Sequence, residues 1–269
     1  MGRIKIKTVK TDSFSMDYFR FGQGNRVLVI LPGLSVRSVM LSADMIADAY
    51  ETLADKFTVY VFDRRRDLPP VYTIRDMARD TAEAFRALEL EKVCLFGASQ
   101  GGMIAQVIAI EHPELVFRMV LGSTTPHIRP SQFEKIKHWI DLAEKRDRTG
   151  LYLAFGQEIY TPEVFAQARE GLIKGSAAVT DGDLERFIIL AGGIRDFNVT
   201  DELERIQCPV LAVGAYEDSI VDSDATMERA EKLEFTEGSK LYMYIGYGHA
   251  AFDTAPDYRQ RLLDFFTEQ

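Results

Sequence analysis

Short apolar runs recur along the chain and predict the buried strands of a sheet. Six of these runs are rich in β-branched and aromatic residues and are almost continuously apolar, which is typical of strands covered on both faces. They occupy residues 26–31, 57–62, 92–96, 117–121, 210–213 and 241–245. Because stretches with helical periodicity separate most of them, we expect a mainly parallel sheet with helices on its faces.

Two further segments at the start of the chain, residues 4–9 and 14–21, are separated by a short polar stretch and predict an antiparallel hairpin. Helices are easiest to recognise at 73–90, where the apolar residues keep to one face, and at 100–112, where Pro113 disfavours continuation. The pattern as a whole predicts an α/β protein whose sheet has an antiparallel start.

The strand rhythm stops after Gly122 and resumes near Arg205. Between these points the apolar residues follow a helical spacing, so we expect a helical cap inserted into a continuing α/β domain. The predicted boundaries are 123–205 for the cap and 1–122 with 206–269 for the core domain. Two aromatic residues of the insertion, Trp139 and Phe155, could line a substrate cleft or form the cap's own small core, and the sequence leaves both open.

Composition narrows the classes of function. The 269 residues carry a formal charge of −9, which would repel nucleic acid and an anionic membrane surface, so neither is expected as a partner. The first residues lack the apolar stretch of a secretory signal, and no run approaches about 18 apolar residues, so a cytoplasmic location is expected. Cys94 and Cys208 lie in or beside apolar runs, and we expect both thiols to be buried and structural.

The motif Gly97-Ala98-Ser99-Gln100-Gly101 directly follows a predicted strand and directly precedes a predicted helix. This is the G-x-S-x-G pattern of a nucleophile elbow, in which a serine stands on a strained strand-to-helix turn. The residues two positions before and after that serine crowd the turn, so glycine fits best at both places. The pattern predicts that Ser99 is a nucleophile, whereas without catalytic partners the same turn would only be tightly packed.

The elbow also predicts where negative charge could be stabilised. Gln100 begins a helix, and the unpaired backbone N–H groups at a helix N-terminus favour developing negative charge, so the Gln100 amide is one expected oxyanion donor. The second donor should come from the loop after the 26–31 strand. We assign it to the backbone N–H of Leu34, with Gly33 permitting the close approach.

A serine hydroxyl needs a base to take its proton, and four histidines are available. His112, His127 and His138 lie at a helix end or in the insertion, where capping, surface or packing roles suffice for them. His249 differs because it stands in a glycine-rich loop after the last predicted strand. Loops at the carboxyl ends of parallel strands carry the sites of such sheets, so His249 is the predicted base.

A third group must hold the imidazole in the right tautomer and stabilise its charged form. Asp218 follows the 210–213 strand and should emerge at the same edge of the sheet. Glu217 and Asp222 are close competitors in the sequence. We predict that Asp218 orients His249.

Together these motifs resemble the α/β-hydrolase superfamily over nearly the whole chain. Residues 208–221 resemble the family's strand that leads to its acidic residue, and Gly246-Tyr247-Gly248-His249 resembles its Gly-x-Gly-His. The chain order Ser, Asp, His is the one expected for this fold. The resemblance implies the α/β-hydrolase fold: a mostly parallel eight-stranded sheet flanked by helices, with an inserted helical cap. It points to the capped serine hydrolases, since the haloalkane dehalogenase and epoxide hydrolase branches have aspartate at the elbow.

Two places depart from the usual pattern of the family. Pro32 stands where many relatives have a histidine, but the expected donor is a backbone N–H, so the oxyanion hole should survive. The loop at 63–70 lacks the family's usual glycines and contains Arg64, Arg65 and Arg66 between two aspartates. We interpret these arginines as part of a solvated loop with internal ion pairs; the alternative is that they grip a carboxylate or phosphate of a substrate.

The predicted function is hydrolysis of a small carboxylic ester, or a related acyl substrate, by two-step acyl transfer as in carboxylesterases. Ser99 would form the acyl-enzyme, and no metal or organic cofactor is needed. Two alternatives stay open. One is hydrolysis of a carbon–carbon bond in an acidic diketone from ring cleavage, and the other is ligand binding with vestigial hydrolysis. The sequence does not indicate the oligomeric state.

Overall fold

The computed structural model describes residues 4–221, 223–224, 226–227 and 236–268, and an eight-stranded sheet lies at its centre. The strands are β1 (Lys7–Lys10), β2 (Ser15–Phe21), β3 (Arg26–Leu31), β4 (Phe57–Arg65), β5 (Val93–Ala98), β6 (Val116–Gly122), β7 (Val210–Ala215) and β8 (Lys240–Tyr244). Their order across the sheet is β1-β2-β4-β3-β5-β6-β7-β8. β2 runs antiparallel to both of its neighbours and all other pairs are parallel, which confirms the mixed sheet.

Two strands have an end that lies three residues from the predicted one. The first strand of the hairpin begins at Lys7, although the pattern suggested residue 4. β4 continues to Arg65, beyond the expected end at residue 62, because it still pairs with β2 there, with Met16 opposite Arg65. This extension carries Asp63, Arg64 and Arg65 into the sheet, away from the loop in which they were expected.

Helices cover both faces of the sheet. The described helices are α1 (Ala43–Ala49), α2 (Ile74–Ala87), α3 (Gln100–Glu111), α4 (Pro130–Glu144), α5 (Arg148–Ile159), α6 (Pro162–Ser176), α7 (Asp181–Gly192), α8 (Ala251–Thr254) and α9 (Tyr258–Thr267), with 3-10 turns at Val39–Ser42, Glu51–Leu53, Pro113–Leu115 and Thr200–Arg205. Side chains of α2 and α3 share one apolar core with the sheet, and those of α1 and α9 share the other. The central strands are therefore buried on both sides.

The helix after the elbow owes its position to its composition. All of α3 from Gln100 to Ile110 is buried, which is typical of a helix that is apolar on every side and enclosed by other elements. It ends at Glu111 with His112 as its C-cap, and the following Pro113 disfavours continuation of the helix. α3 therefore lies firmly against the sheet and fixes the position of the residue that precedes it.

Four helices, α4 to α7, lie between β6 and β7, where the sequence predicted an insertion. We call Pro130–Gly192 the four-helix segment. α4 contacts α7, and α5 contacts α6. α6 buries only Ser176, whereas α4 and α7 each bury several apolar residues against the core. α5 also contacts α4 and buries Leu151 in the core, so α6 alone is held mainly through its contacts with α5.

Among the described residues no helix is both long enough and apolar enough to cross a bilayer. Cys94 and Cys208 are buried free thiols, as predicted. Burial raises the pKa of both thiols, that of Cys208 to about 12.

Candidate active site

Ser99 stands on the strained turn between β5 and α3. Its backbone has φ 52° and ψ −121°, a left-handed conformation that a residue with a side chain adopts only when its surroundings enforce it. A Cβ at Gly97 would lie 2.5 Å from the Gly101 carbonyl oxygen, and one at Gly101 would lie 1.9 Å from that of Leu31. Both glycines of the motif are therefore required by close packing.

A line of hydrogen bonds joins Ser99 to His249 and Asp218. The Nε2 atom of His249 lies 2.9 Å from the Ser99 Oγ, and its Nδ1 lies 3.0 and 2.9 Å from the two carboxylate oxygens of Asp218. His249 and Asp218 are buried, whereas Ser99 is partly exposed. The structure thus brings together all three residues that the sequence singled out.

Backbone amides hold Asp218 in place. Its Oδ1 accepts hydrogen bonds from the N–H groups of Ile220 and Val221, both at 2.9 Å. The competitor Glu217 points elsewhere, because its Oε2 accepts the Gly246 N–H at 2.9 Å. Asp222, the other competitor, lies outside the described residues.

The three residues converge because each follows a strand of the parallel part of the sheet. Ser99 comes directly after β5, Asp218 three residues after β7, and His249 five residues after β8. The carboxyl ends of parallel strands meet at one edge, where such sheets carry their sites.

The remaining histidines lie away from Ser99. His112 Nδ1 lies 2.9 Å from an Arg86 nitrogen, and His127 Nδ1 lies 3.2 Å from the Thr200 hydroxyl. His138 is exposed on α4. These positions agree with the capping, surface and packing roles expected of them.

A model of the family described as the alpha/beta hydrolase fold matches residues 26–256. This chain belongs to that family. The match begins at β3 and ends after His249, so it includes every element that positions the three residues.

Curated relatives of this α/β hydrolase are distant but cover most of its length. The human protein named serine hydrolase BPHL is 24% identical over 225 residues, which are 79% of this chain and 70% of that protein. The 3-oxoadipate enol-lactonase 2 of Acinetobacter baylyi is 22% identical over 218 residues, 79% of each chain. Among solved structures, the alpha/beta hydrolase MGS-M2 from a Medee basin deep-sea metagenome library has a TM-score of 0.86 at 18% identity, over 98% of both chains.

The loop after β3 contacts Ser99 in this α/β hydrolase. A Cβ at Gly33 would lie 3.2 Å from the Ser99 Cβ. The loop can approach Ser99 this closely because Gly33 has no side chain. Leu34 follows and lines the same cavity as Ser99. The Gln100 amide is at the first position of α3, where backbone N–H groups have no acceptor within the helix. Both expected oxyanion donors therefore belong to residues beside Ser99.

Arg64 is not solvated, which corrects the interpretation from sequence. It is buried at the end of β4, and one guanidinium nitrogen donates to the Pro32 carbonyl at 2.9 Å and to the Gln100 Oε1 at 3.1 Å. Burial lowers its pKa to about 10 against the opposing effect of Asp63. Arg64 thus joins the loop after β3 to the first residue of α3.

Neighbouring polar groups extend this network into the four-helix segment. The Gln100 Nε2 donates to the Leu190 carbonyl of α7 at 2.7 Å. Asp63 accepts hydrogen bonds from Ser38 and forms an ion pair with Arg186 of α7. The loop after β3, the elbow and α7 are therefore held together by one buried set of polar contacts.

The other two arginines lie outside the cavity. Arg65 forms an ion pair with Asp80 at 3.5 Å and lies over the Phe14 ring. Arg66 is exposed and pairs with Asp17 at 2.9 Å. Arg66 alone is solvated as expected, although its ion pair is with β2 and not within the loop, and none of the three lines the cavity around Ser99.

A cavity of about 720 Å³ surrounds Ser99 and His249. Its walls come from the loop after β3, from α1 and α8, and from the four-helix segment, and most of the lining residues are apolar. Trp139 and Phe155 both line it, and their rings contact each other with 4.6 Å between centroids. Trp139 is also buried in the apolar core shared with the sheet, and Phe155 packs against that core, so these residues line the cavity without forming a separate core of the cap.

Chemically, the site offers a hydroxyl hydrogen-bonded to an imidazole, a buried carboxylate behind that imidazole, and backbone amides beside the hydroxyl. Sequence reasoning missed Arg64 as a support of this arrangement and Arg37 as a charged residue of the cavity wall. No local pattern marked Arg64, which lies within β4 where that strand pairs with β2. Arg37 had no signal beyond its nearness in sequence to Gly33.

Proposed function

We propose that this α/β hydrolase is a serine hydrolase that cleaves a small carboxylic ester, with Ser99 as nucleophile and His249 as general base. The observation that carries the proposal is the hydrogen-bonded line from Asp218 through His249 to Ser99, with 2.9 Å between Nε2 and Oγ. A serine that served only to close a tight turn would need no buried imidazole at that distance. The arrangement fits the geometric requirement for an activated nucleophile.

In the first half of the reaction, the Ser99 Oγ attacks the carbonyl carbon while its proton passes to the His249 Nε2. Negative charge develops on the carbonyl oxygen, where the backbone N–H groups of Gln100 and Leu34 would stabilise it. The carbonyl then reforms as the bond to the alcohol oxygen breaks. His249 gives its proton to that oxygen, so a neutral alcohol leaves and Ser99 is acylated.

In the second half, water replaces the alcohol. His249 takes a proton from the water, the resulting hydroxide attacks the acyl carbon, and the same two amides hold the oxyanion. Collapse releases the carboxylic acid and returns the proton to Ser99. Throughout, Asp218 accepts the Nδ1–H of His249, which fixes the tautomer that leaves Nε2 free to accept a proton.

We further propose that the four-helix segment, within residues 123–205, acts as a cap that shapes the substrate cavity over the core domain. The support is that Trp139, Phe155 and other apolar side chains of this segment line the cavity around Ser99. Walls of this kind favour an apolar portion of the substrate. The relative named an enol-lactonase acts, by its name, on a cyclic ester, which agrees with ester chemistry here.

The two alternatives receive less support. Cleavage of a carbon–carbon bond in an acidic diketone would give Arg64 to Arg66 a carboxylate to bind, but these three side chains do not line the cavity, so that support is lost. Vestigial hydrolysis with ligand binding is disfavoured by hydrogen-bond distances of about 3 Å or less at every step from Asp218 to Ser99.

The test is turnover of a short-chain 4-nitrophenyl ester by the wild-type chain and by Ser99→Ala. We expect Ser99→Ala to reduce turnover to the background of the buffer, because the acyl-enzyme can no longer form. Ser13→Ala, an exposed serine in the β1–β2 hairpin, serves as the matched control and should behave as wild type. Equal turnover by Ser99→Ala and wild type would refute the proposal.

A further inference from the structure

Arg37 places a cation in the wall of the cavity that holds Ser99. It lies in the loop after β3, three residues beyond Leu34, and its backbone is fixed because the Ser35 hydroxyl donates to the Arg37 carbonyl at 2.8 Å. The side chain is about one-third exposed, 33%, so the guanidinium is neither fully enclosed nor fully hydrated. A cation in a mostly apolar cavity needs a physical reason.

The contacts within the chain leave most of this guanidinium unused. Its nearest carboxylate is Asp183, with 4.0 Å between Nε and Oδ2, the limit of an ion pair. That same Oδ2 already accepts the N–H and hydroxyl of Thr180 at 2.9 and 2.8 Å, which closes the capping box of α7. Among the described residues the buried Nε of Arg37 has no hydrogen-bond acceptor. Because the ion pair to Asp183 is at the limit of distance and the side chain is partly exposed, the terminal N–H groups of Arg37 are available to a ligand.

The other charges of the cavity wall are already paired. Asp253 and Arg259 face each other at 3.7 Å, and Arg259 also lies over the Tyr50 ring. Tyr152 of α5 lines the cavity as well, and burial raises its pKa while the nearby Arg37 acts in the opposite direction. Arg37 and Tyr152 therefore line the same cavity, and the carboxylate nearest Arg37 already accepts the Thr180 N–H and hydroxyl.

We propose that Arg37, assisted by the Tyr152 hydroxyl, binds a carboxylate carried by the substrate, so that the esters cleaved best are anionic. Arginine suits this role because its fork of N–H groups matches the two oxygens of a carboxylate. The inference rests on the proposed function, because the carboxylate binds in the cavity in which Ser99 attacks the ester.

The first experiment compares kcat/KM for matched anionic and neutral esters. The anionic set is the 4-nitrophenyl half-esters of succinic, glutaric and adipic acid, and the neutral set is the 4-nitrophenyl esters of alkanoic acids with equally long acyl chains. A second set of esters carries the carboxylate on the alcohol portion instead of the acyl portion. Wild type should prefer the anionic ester for at least one position of the carboxylate, and Arg37→Gln should reduce that preference about tenfold to a hundredfold, the usual range for a charge-assisted hydrogen bond.

Two further variants exclude a purely structural role for Arg37. Asp183→Asn removes the charge of its ion-pair partner but keeps an amide oxygen that can accept the Thr180 N–H in the capping box, so the anionic preference should persist or increase. Arg79→Gln removes an exposed arginine of α2 that forms an ion pair with Asp76 of the same helix, and it should leave the preference unchanged. The proposal would be overturned if Arg37→Gln lost activity equally toward both ester classes and Asp183→Asn showed the same loss.

Binding is also measured without turnover, by calorimetry of monomethyl adipate and methyl hexanoate on the Ser99→Ala chain. Tighter binding of the adipate, lost when Arg37→Gln is added, is the expected result even if hydrolysis follows another mechanism. If neutral esters are hydrolysed through Ser99 but neither binding nor kcat/KM favours the anion, the carboxylate subsite is wrong and the proposed function stands. If Ser99→Ala keeps wild-type turnover, the proposed function fails separately.

Discussion

Among single residues, Asp218 and Glu217 are adjacent in the chain but have different partners. Asp218 accepts from the His249 Nδ1, whereas Glu217 accepts the Gly246 amide. We expect Asp218→Asn to lower kcat by about 10⁴-fold, because the amide can present an N–H to Nδ1 and hold the imidazole in the wrong tautomer. Initial rates on a short-chain 4-nitrophenyl ester measure the effect.

Glu217→Gln is the matched control, since it makes the same chemical change one residue away. It should retain wild-type kcat, because an amide oxygen can still accept the Gly246 N–H. A similar loss in both variants would mean that the loop, and not the carboxylate behind His249, is what matters.

Arg64 is a positioning residue in this account. Its buried guanidinium joins the Pro32 carbonyl to the Gln100 side chain. Pro32 precedes Leu34 by two residues, and Gln100 itself carries the other expected oxyanion donor. Removing a charged hydrogen-bond donor costs about 1.5–3 kcal/mol, so Arg64→Met should lower kcat about tenfold to a hundredfold, with a smaller effect on KM. Arg64→Lys, which keeps a donor, should restore part of the loss.

Rates for these variants are divided by the concentration of sites that a fluorophosphonate titrates, so that unfolded protein does not count. Arg66→Met is the control, because exposed ion pairs such as that of Arg66 with Asp17 contribute little. If Arg64→Met lowered only the thermal midpoint and kept wild-type kcat per site, Arg64 would support the fold alone.

The residues brought together around Ser99 were predictable because each has a local signal: a glycine-framed turn, or a polar residue soon after an apolar strand. Arg64 and Arg37 were not. A run of three arginines reads as solvated from its local pattern, and the burial of Arg64 depends on Pro32 and Gln100, which are distant in sequence. Such placements follow from tertiary packing, which one sequence does not encode locally.

At the scale of elements, the elbow depends on the close approach of α3 to β3. A Cβ at Gly101 would lie 1.9 Å from the Leu31 carbonyl oxygen, and backbone cannot move aside as a flexible side chain can. We expect Gly101→Ala to lower the free energy of unfolding by at least about 3 kcal/mol, the upper part of the range for overpacking. The midpoint of urea denaturation measures it.

Gly171→Ala is a control that should change the free energy of unfolding in the opposite direction. Gly171 is exposed in α6 and a Cβ there would meet nothing within 4 Å, so the change should stabilise the protein by about 0.5–1 kcal/mol. If Gly101→Ala proved as stable as wild type, the turn would be looser than the structure indicates.

The strands were predictable because continuous apolarity marks a strand buried on both faces, and most predicted ends agree with the structure to within a few residues. The extension of β4 to Arg65 was not predictable from apolarity, because pairing with β2 keeps polar residues in the sheet there. α1 and the turns around it, from Val39 to Leu53, also lacked a clear signal, since they are short and their apolar faces cover only part of the sheet.

For the molecule as a whole, the two thiols report on integrity of the core. Only the thiolate reacts, and with a pKa of about 12 roughly one Cys208 in ten thousand would be ionised at pH 8. We expect neither Cys94 nor Cys208 to react with a disulfide reagent at pH 8 until the protein unfolds, when both should react within minutes. Rapid reaction of either thiol in folded protein would contradict the burial described here.

The central claim is that Ser99 is a nucleophile activated by His249, and labelling by a fluorophosphonate tests it most directly. Intact-mass and peptide mass spectrometry would locate the adduct after reaction of wild type, Ser99→Ala and Ser13→Ala. We expect a single adduct on the peptide that contains Ser99 in wild type and in Ser13→Ala, and no adduct in Ser99→Ala. Absence of label from Ser99 in wild type, or equal labelling of Ser99→Ala, would contradict it.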